Sequence, residues 1–198
     1  MSYDGDAIVL TGGDNLSHDV QFRLNGNRDE ILDTQPITSA PGDCYYVVDP
    51  TWVSCPGHND MRVDLGSGND SVMTRLDCFA VYTINLGDGT NSSELSADCD
   101  PGATATITSG SGQDDLDGGT PNTTFFAGGG DDTVQGGTGD EVLHGGDGKD
   151  NVFGNAGNDQ ILGEAGNDAL LGGDGNDIED GGPGERRHRR QPGRQQRR

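Results

Sequence analysis

The chain has 198 residues, of which 29% are hydrophobic, 5% are aromatic and 35 are glycine. So few apolar side chains cannot form the broad core of a compact enzyme domain, and so much glycine makes an ordered backbone entropically costly. The net charge of −22 makes nucleic acid and anionic membranes poor partners and favours multivalent cations.

Residues 1–99 are predicted to form an irregular β-rich region without helices. Clusters of Gly, Pro, Asn and Asp separate short strand-like runs, which lie at residues 7–10, 20–24, 45–48 and 79–86. No apolar run is long enough for a membrane span. Residues 1–6 lack the basic segment and apolar stretch of a signal peptide, so we expect either a truncated start or another export route.

All four cysteines lie in this region, at Cys44, Cys55, Cys78 and Cys99. None belongs to a CxxC pair, and an even number favours two disulfides in an oxidising compartment, with free buried thiols as the alternative. Pairing Cys44 with Cys55 and Cys78 with Cys99 would close two short local loops, although the sequence does not fix the pairing.

A nine-residue repeat begins at Ser109 and keeps one register, without an insertion, until the chain reaches Glu185. Its first, second and fourth places are mostly glycine, which permits left-handed backbone and close approach to a bound ion. The eighth place is apolar and is predicted to point inward, at Leu116, Phe125, Val134, Leu143, Val152, Ile161 and Leu170, with Ile107 before them. One inward residue per unit makes a thin core, so the units are expected to be stable only as a stacked array.

The sixth place of the repeat carries a carboxylate, at Asp114, Asp132, Glu141, Asp150, Asp159, Asp168 and Asp177. Calcium takes six to eight oxygen ligands, and one turn of carbonyl groups with one carboxylate supplies about half of them. Two turns are therefore needed for each ion. The glycines of the candidate metal turns are Gly128, Gly130, Gly137, Gly139, Gly146, Gly148, Gly157, Gly166, Gly173 and Gly175.

These units resemble the GGxGxDxUx repeat of the RTX, or haemolysin-type calcium-binding, family. The resemblance implies an all-β fold, a right-handed parallel β-roll (β-solenoid) in which two units form one turn of the roll and Ca²⁺ lies in the glycine turns. It implies that each ion lies between a glycine turn and the next but one, held by both sixth-place carboxylates and by carbonyl oxygens. About five ions are expected, in the intervals Asp114–Asp132, Asp132–Asp150, Asp150–Asp168, Asp159–Asp177 and, with a longer carboxylate, Glu141–Asp159.

Three units depart from the pattern. Pro121 and Thr123 replace Gly and Asp in the unit that starts at Gly118, so that interval is predicted to be weak or empty. Glu179 occupies an inward place, and Arg186 stands where a sixth-place acid belongs. The roll is therefore expected to fray after about residue 178.

The repeat vocabulary also occurs upstream, as a near-complete unit at 63–72 and a degenerate one at 84–91. The segment 44–65 resembles the irregular region that precedes the repeats in exported haemolysin-type proteins, which implies a disulfide-linked cap over the first turn. We therefore predict three segments, an irregular β-rich region at 1–99, the calcium-binding roll at 100–185 and a basic disordered tail at 186–198.

The tail reverses the charge of the body. Seven of the twelve basic residues lie there, so that 34 acidic residues face five basic ones in residues 1–185. Two interpretations stay open: a basic arm that binds an acidic partner such as the roll itself, or a reading-frame error across repetitive coding sequence.

No catalytic motif accompanies the repeats, since HExxH and GxSxG are both absent and the four histidines are scattered. His144 is at the outward ninth place of its unit and is predicted to be a surface residue. We predict a non-enzymatic calcium-binding protein that is secreted, extracellular or at the cell surface, and that acts as a structural or carrier module folding on Ca²⁺. The alternative is the repeat region of a larger exported enzyme or cytolysin. The sequence does not identify a protein partner.

Overall fold

The structure is a computed structural model that describes the side chains of residues 17–21, 62–74, 81–95 and 102–183, and elsewhere only the backbone of strands. The strands before residue 100 are β1 Ser2–Asp4, β2 Ala7–Thr11, β3 Asp19–Asn25, β4 Arg28–Asp33, β5 Tyr45–Tyr46, β6 Trp52–Pro56, β7 Asp60–Asp64, β8 Ser71–Arg75, β9 Val81–Gly87 and β10 Ser92–Glu94. The later strands are β11 Thr104–Ser109, β12 Asp115–Gly119, β13 Asn122–Phe126, β14 Thr133–Gly137, β15 Val142–Gly148, β16 Asn151–Ala156, β17 Gln160–Gly166, β18 Ala169–Asp174, β19 Ile178–Asp180, β20 Arg187–His188 and β21 Gln196–Arg197. The described part of the chain contains no helix, and hence none that could cross a membrane.

The strands form two facing sheets of a parallel β-roll. Sheet A has the order β1-β2-β7-β9-β11-β13-β15-β17-β19-β21, and sheet B the order β20-β18-β16-β14-β12-β10-β8-β3-β4-β6-β5. From β7 onward, the chain alternates between the sheets and each strand pairs in parallel with the next strand of its own sheet. The predicted all-β parallel roll is confirmed.

The coil length changes along the chain. Equivalent residues of consecutive coils are 18 positions apart from Asp114 onward, the spacing predicted for two nine-residue units. Before Asp114 the spacing is 23 and then 21 residues. The parallel roll therefore begins upstream of the regular repeat, with β2 against β7 and β3 against β8.

Antiparallel strands occur only at the N-terminal side of the two sheets, among the strands that the structure describes. β1 pairs with β2, and β4 lies between β3 and β6. β4, β6 and β5 extend sheet B beyond the first coil. Such strands cover backbone groups that a parallel coil would otherwise present at its exposed end.

The core is a single column of inward side chains between the sheets. The eight predicted inward residues from Ile107 to Leu170 are all at most 3% exposed, which confirms the eighth place as the core position. The first place of each unit is also buried, as at Ser109 and Ala127, although we predicted only a turn role for it. Upstream, the coil carries larger core residues, with Tyr82, Ile84 and Leu86 on one strand.

Several predictions fall outside the described side chains. No side chain of the four cysteines is described, so both disulfides stay predictions. In the tail, the backbone of Arg187–His188 pairs with β18 and that of Gln196–Arg197 with β19. The division into three segments stays a prediction.

Candidate metal centre

Two rows of glycine turns run along the two edges of the roll. The turns of the first edge lead from sheet A to sheet B, at residues 109–114, 127–132, 145–150 and 163–168. The turns of the second edge lead back to sheet A, at residues 118–123, 136–141, 154–159 and 172–177. Because consecutive turns of one edge are one coil apart, their sixth-place residues stack above one another.

The sixth-place carboxylates of each edge form a ladder of hydrogen bonds. The backbone N–H of Asp132 donates to Oδ1 of Asp150 at 3.0 Å, and that of Asp150 to Oδ1 of Asp168 at 3.1 Å. The remaining bonds run from Asp114 to Asp132 at 2.9 Å, from Glu141 to Asp159 at 2.9 Å and from Asp159 to Asp177 at 3.1 Å. Each predicted acidic residue thus lies beside its predicted neighbour on the same edge, held by the turn before it.

One oxygen of each ladder carboxylate is buried and accepts no hydrogen bond. Within the described residues no donor reaches Oδ2 of Asp132, Asp150, Asp159, Asp168 and Asp177, or Oε1 of Glu141. Each of these side chains is at most 4% exposed. A buried anionic oxygen without a partner is costly, so each site requires either a proton or a cation.

The carboxylates respond to this environment with raised pKa values. Burial, reinforced by the neighbouring ladder carboxylates, raises the pKa of Asp132 to about 7 and that of Asp150 to about 6. Burial, with the charge of Asp159 beside it, raises the pKa of Glu141 to about 7. Burial also raises the pKa values of Asp114, Asp159 and Asp168. Without counter-charge these acids keep their protons to a higher pH than an exposed carboxyl does, whereas a bound divalent cation would favour the carboxylate.

In the turns that have glycine at the first place, a side chain there would crowd the carboxylate of the same turn. A Cβ built on Gly145 would lie 2.6 Å from Oδ2 of Asp150, and one on Gly163 would lie 2.7 Å from Oδ2 of Asp168. None of the first-place glycines has a left-handed backbone. The left-handed role that we predicted for this place is therefore wrong, and the space needed by the buried acid explains the glycine instead.

Glycines at the second and fourth places are left-handed in most turns, as predicted. Gly146 has a φ of 106° and Gly148 a φ of 144°. Side chains there would also collide with the carbonyl oxygens of Gly128 and Gly130 in the preceding turn. Gly137, Gly139 and Gly166 are not left-handed, but a Cβ at each would meet atoms of the neighbouring turn or of its own acid.

The departures from the repeat are resolved by local hydrogen bonds. Thr123, at a sixth place, donates its hydroxyl to the carbonyl oxygen of Pro121 at 2.8 Å. Glu179, at an inward place, is 9% exposed, and its Oε1 accepts the N–H of Gly172 at 2.9 Å.

The outward His144 stacks on Phe126 with ring centroids 4.7 Å apart, and its Nδ1 lies 2.7 Å from Oε1 of Glu164.

A second ladder, which the sequence analysis missed, runs outside the first. Fifth-place side chains accept the fifth-place N–H of the next turn, as Asp140 does from Asn158 at 2.7 Å and Asn158 does from Asn176 at 3.1 Å. Asp131 accepts in the same way from Lys149 at 3.0 Å. The signal was available, because Asn or Asp stands at the fifth place in most units.

The inner ladder also continues upstream, beyond the residues that we predicted. Oδ1 of Asp70 accepts the N–H of His18 at 2.7 Å, and Oδ1 of Asn91 accepts the N–H of Asp70 at 2.9 Å. The N–H of Asn91 in turn donates to Oδ1 of Asp114 at 2.7 Å. Both residues lie in the upstream units noted in the sequence, but the longer coils hid their alignment with the regular repeat.

The described residues contain no group of three or more His, Cys, Asp and Glu side chains that could hold a metal ion. A cation on either edge therefore needs carbonyl oxygens in addition to the paired carboxylates. That requirement suits calcium, which accepts carbonyl as well as carboxylate oxygens.

The family model of the RTX calcium-binding nonapeptide repeat (4 copies) matches residues 122–152 and 144–179. The chain carries RTX repeats. They bind Ca²⁺, and the matched residues contain six of the seven predicted sixth-place acids. The match covers less than a third of the chain and lies entirely within its eighteen-residue coils. A search of curated proteins and a search of solved structures find no match.

Proposed function

We propose that residues 109–177 form a calcium-ordered structural module of a secreted protein. The observation that carries the proposal is the stack of buried carboxylate oxygens without donors, repeated once per coil along both edges. Calcium would offset the charge of these oxygens and link adjacent coils. Binding and ordering would then be one process, since the apolar column alone is thin.

The ions would lie between consecutive sixth-place acids of the same edge. The first edge offers three such intervals among Asp114, Asp132, Asp150 and Asp168, and the second offers Glu141–Asp159 and Asp159–Asp177. We propose about five ions, with carbonyl oxygens of the glycine turns as the other ligands. The Gly118 turn would hold none, because Thr123 brings a hydroxyl that already donates to a carbonyl of its own turn.

The proposed setting of the roll is extracellular. Extracellular calcium modules typically have dissociation constants of about 10⁻⁴ to 10⁻³ M, so the roll would order outside the cell and stay unfolded at cytosolic calcium. We propose no catalytic role, since the buried acids would be occupied by the ion and poorly placed for proton transfer. The module would serve a larger exported enzyme or cytolysin in the same way.

The test is a calcium titration of the full chain from a chelated start, followed by far-ultraviolet circular dichroism. We expect a cooperative gain of β signal with calcium and none with magnesium, which requires a tighter octahedral shell. A chain that stays disordered through millimolar calcium would overturn the proposal. Equilibrium dialysis of the same samples would count the ions.

A further inference from the structure

Asn91 occupies the sixth place of the first-edge turn at residues 86–91, where later turns carry Asp. Its Oδ1 accepts the N–H of Asp70 at 2.9 Å, just as the Oδ1 atoms of Asp132 and Asp150 accept theirs from the preceding turn. This bond fixes which end of the amide is oxygen. Nδ2 of Asn91 therefore takes the position that Oδ2 takes in the Asp turns.

The amide nitrogen of Asn91 donates hydrogen bonds at a position where the Oδ2 atom of a ladder aspartate receives none. Nδ2 donates to the carbonyl oxygen of Gly87 at 2.9 Å, to that of Gly89 at 3.4 Å and to Oγ of Ser109 at 3.1 Å. Gly87 and Gly89 are at the second and fourth places of the turn. An Oδ2 atom in the same position would face these oxygens with no proton between them, which is the arrangement that calls for a cation.

The second edge repeats this substitution with a different side chain. Thr123 also stands at a sixth place, and its hydroxyl donates to the carbonyl oxygen of Pro121 at 2.8 Å and lies 3.4 Å from that of Gly118. On both edges, the turn just before the acidic ladder thus carries a neutral donor that satisfies carbonyl oxygens of its own turn.

The coil that contains Asn91 also has the means to stay ordered without ions. Tyr82, Ile84 and Leu86 point inward from one strand and are each at most 1% exposed, and Leu65 and Val72 of the preceding coil are fully buried. Burying a side chain of this size contributes about 1.5–3 kcal/mol. The regular coils have one large apolar residue on each strand.

We propose that the Asn91 amide takes the place of a calcium ion, so that residues 81–95 form a metal-independent coil on which the calcium-dependent coils stack. The proposal rests on the proposed function, because it defines where the calcium ladder begins. Asn91 would be the residue that excludes an ion from the Asn91–Asp114 interval.

Hydrogen–deuterium exchange of the full wild-type chain tests the metal-independent coil directly. In EDTA we expect amides of 81–95 to keep the protection that they have in calcium, whereas amides of 127–168 lose theirs. Loss of protection in both segments would overturn the proposal while leaving calcium-driven ordering intact. A chain in which 127–168 is indifferent to calcium would instead overturn the proposed function.

Two reciprocal variants test the amide itself. Asn91→Asp should bind one more calcium ion than wild type by equilibrium dialysis and should lose protection of 81–95 in EDTA. Asp114→Asn should bind one ion fewer and keep that protection. The two variants change the net charge of the chain by equal and opposite amounts. A general effect of charge would shift the calcium concentration needed for ordering, whereas the proposal predicts a change in the number of bound ions. Unchanged counts in both variants would overturn the assignment.

Discussion

The coil at residues 81–95 and the coils at residues 127–168 follow the same path through the same two sheets, yet they differ in what fills them. The first has three large inward side chains on one strand, Tyr82, Ile84 and Leu86. The later coils have one such residue on each strand, with glycine or alanine at the neighbouring inward place and a buried acid at each edge.

The shorter coils bury fewer large apolar side chains than the coil at 81–95. Reducing the coil from 23 or 21 residues to 18 removes core side chains, and their burial has to be replaced by another source of cohesion. In the proposed function, the carboxylate pairs supply it once a cation or a proton neutralises them. Regularity of the repeat would then accompany dependence on the ion at neutral pH.

Truncating one core residue in each region is expected to have the largest effect, about 2–5 kcal/mol in each case. Ile84→Ala should reduce protection of 81–95 both in EDTA and in calcium, because hydrophobic burial orders that coil. Ile161→Ala should instead raise the calcium concentration needed for ordering. Hydrogen–deuterium exchange at several calcium concentrations measures both, and an Ile84→Ala effect confined to one condition would contradict the comparison.

Glycine substitutions sharpen the account of the regular coils. Gly146→Ala should cost about 3 kcal/mol, because φ is 106° and the new Cβ would collide with the carbonyl oxygen of Gly128. Gly129→Ala is the matched control, since its Cβ would only meet Asp147 at 3.8 Å. Chemical unfolding in saturating calcium compares the two, and equal losses would refute the steric argument.

Removing one ladder acid tests the ion sites. Asp150→Ala removes a carboxylate shared by two proposed intervals and should raise the calcium midpoint by about thirtyfold, equivalent to about 2 kcal/mol for a charged contact. Asp174→Ala, an exposed residue of the second edge, removes the same charge and should leave the midpoint near that of wild type. Isothermal titration distinguishes them, and matching shifts would mean that charge alone controls ordering.

The pH dependence of the calcium-free chain tests the buried acids of the regular coils without mutation. Burial raises the pKa of Asp132 to about 7, so the folded calcium-free roll binds more protons than the unfolded chain between about pH 4 and 7. Its stability is therefore greatest at the acidic end and falls as pH rises. Circular dichroism in chelator should show β signal increasing from pH 7.5 to 4.

Asp132→Asn should weaken this pH response, because it removes one of the buried groups whose pKa is raised to about 6 or 7, the others being Glu141 and Asp150. Asp174→Asn changes the same charge at an exposed residue of the second edge and should not. A calcium-free β signal that is independent of pH in wild type would count against buried carboxylates in the folded state.

The smallest effect is expected at the outer face. His144→Ala removes a stack on Phe126 and a partly exposed contact with Glu164, which together should contribute about 0.5–1 kcal/mol. Calcium binding should be unaffected, since the contact of His144 in the turn at 163–168 is with the second-place Glu164 and not with the sixth-place Asp168. A change in ion count would mean that the outer face and the edges are coupled.

Periodicity predicted a stacked array in the regular region, because the eighth-place residues, such as Val152 and Ile161, recur every nine positions and one apolar side chain per unit makes a core only by stacking. The parallel roll with two units per turn was implied by the resemblance to RTX repeats. The pairing of acids along each edge was implied by the same resemblance. Periodicity did not show why one residue type recurs at a given place of the unit. We assigned a left-handed backbone to the first-place glycines, whereas the left-handed glycines are at the second and fourth places.

The upstream coils were harder to predict because their spacing changes. The segment around Asp70 and the one around Asn91 are recognisable as units, but coils of 21 and 23 residues put them out of phase with the nine-residue register. Hydrophobic pattern gave no help, since Tyr82, Ile84 and Leu86 alternate as in any half-buried strand. The role of Asn91 depended on the position of its amide nitrogen, which only coordinates provide.

The inner ladder has a direction, because each buried N–H is met by a side-chain oxygen that comes one coil later in the chain. Deleting the C-terminal coils would therefore damage the coil before the cut, whose amide would lose its acceptor, while the coils further upstream would keep theirs. A deletion from the N-terminal side would leave every remaining amide of the ladder with its acceptor. For the buried ladder the two ends of the roll are thus unequal under truncation, and a stable shortened fragment should be sought by trimming from the front as far as the coil at 81–95.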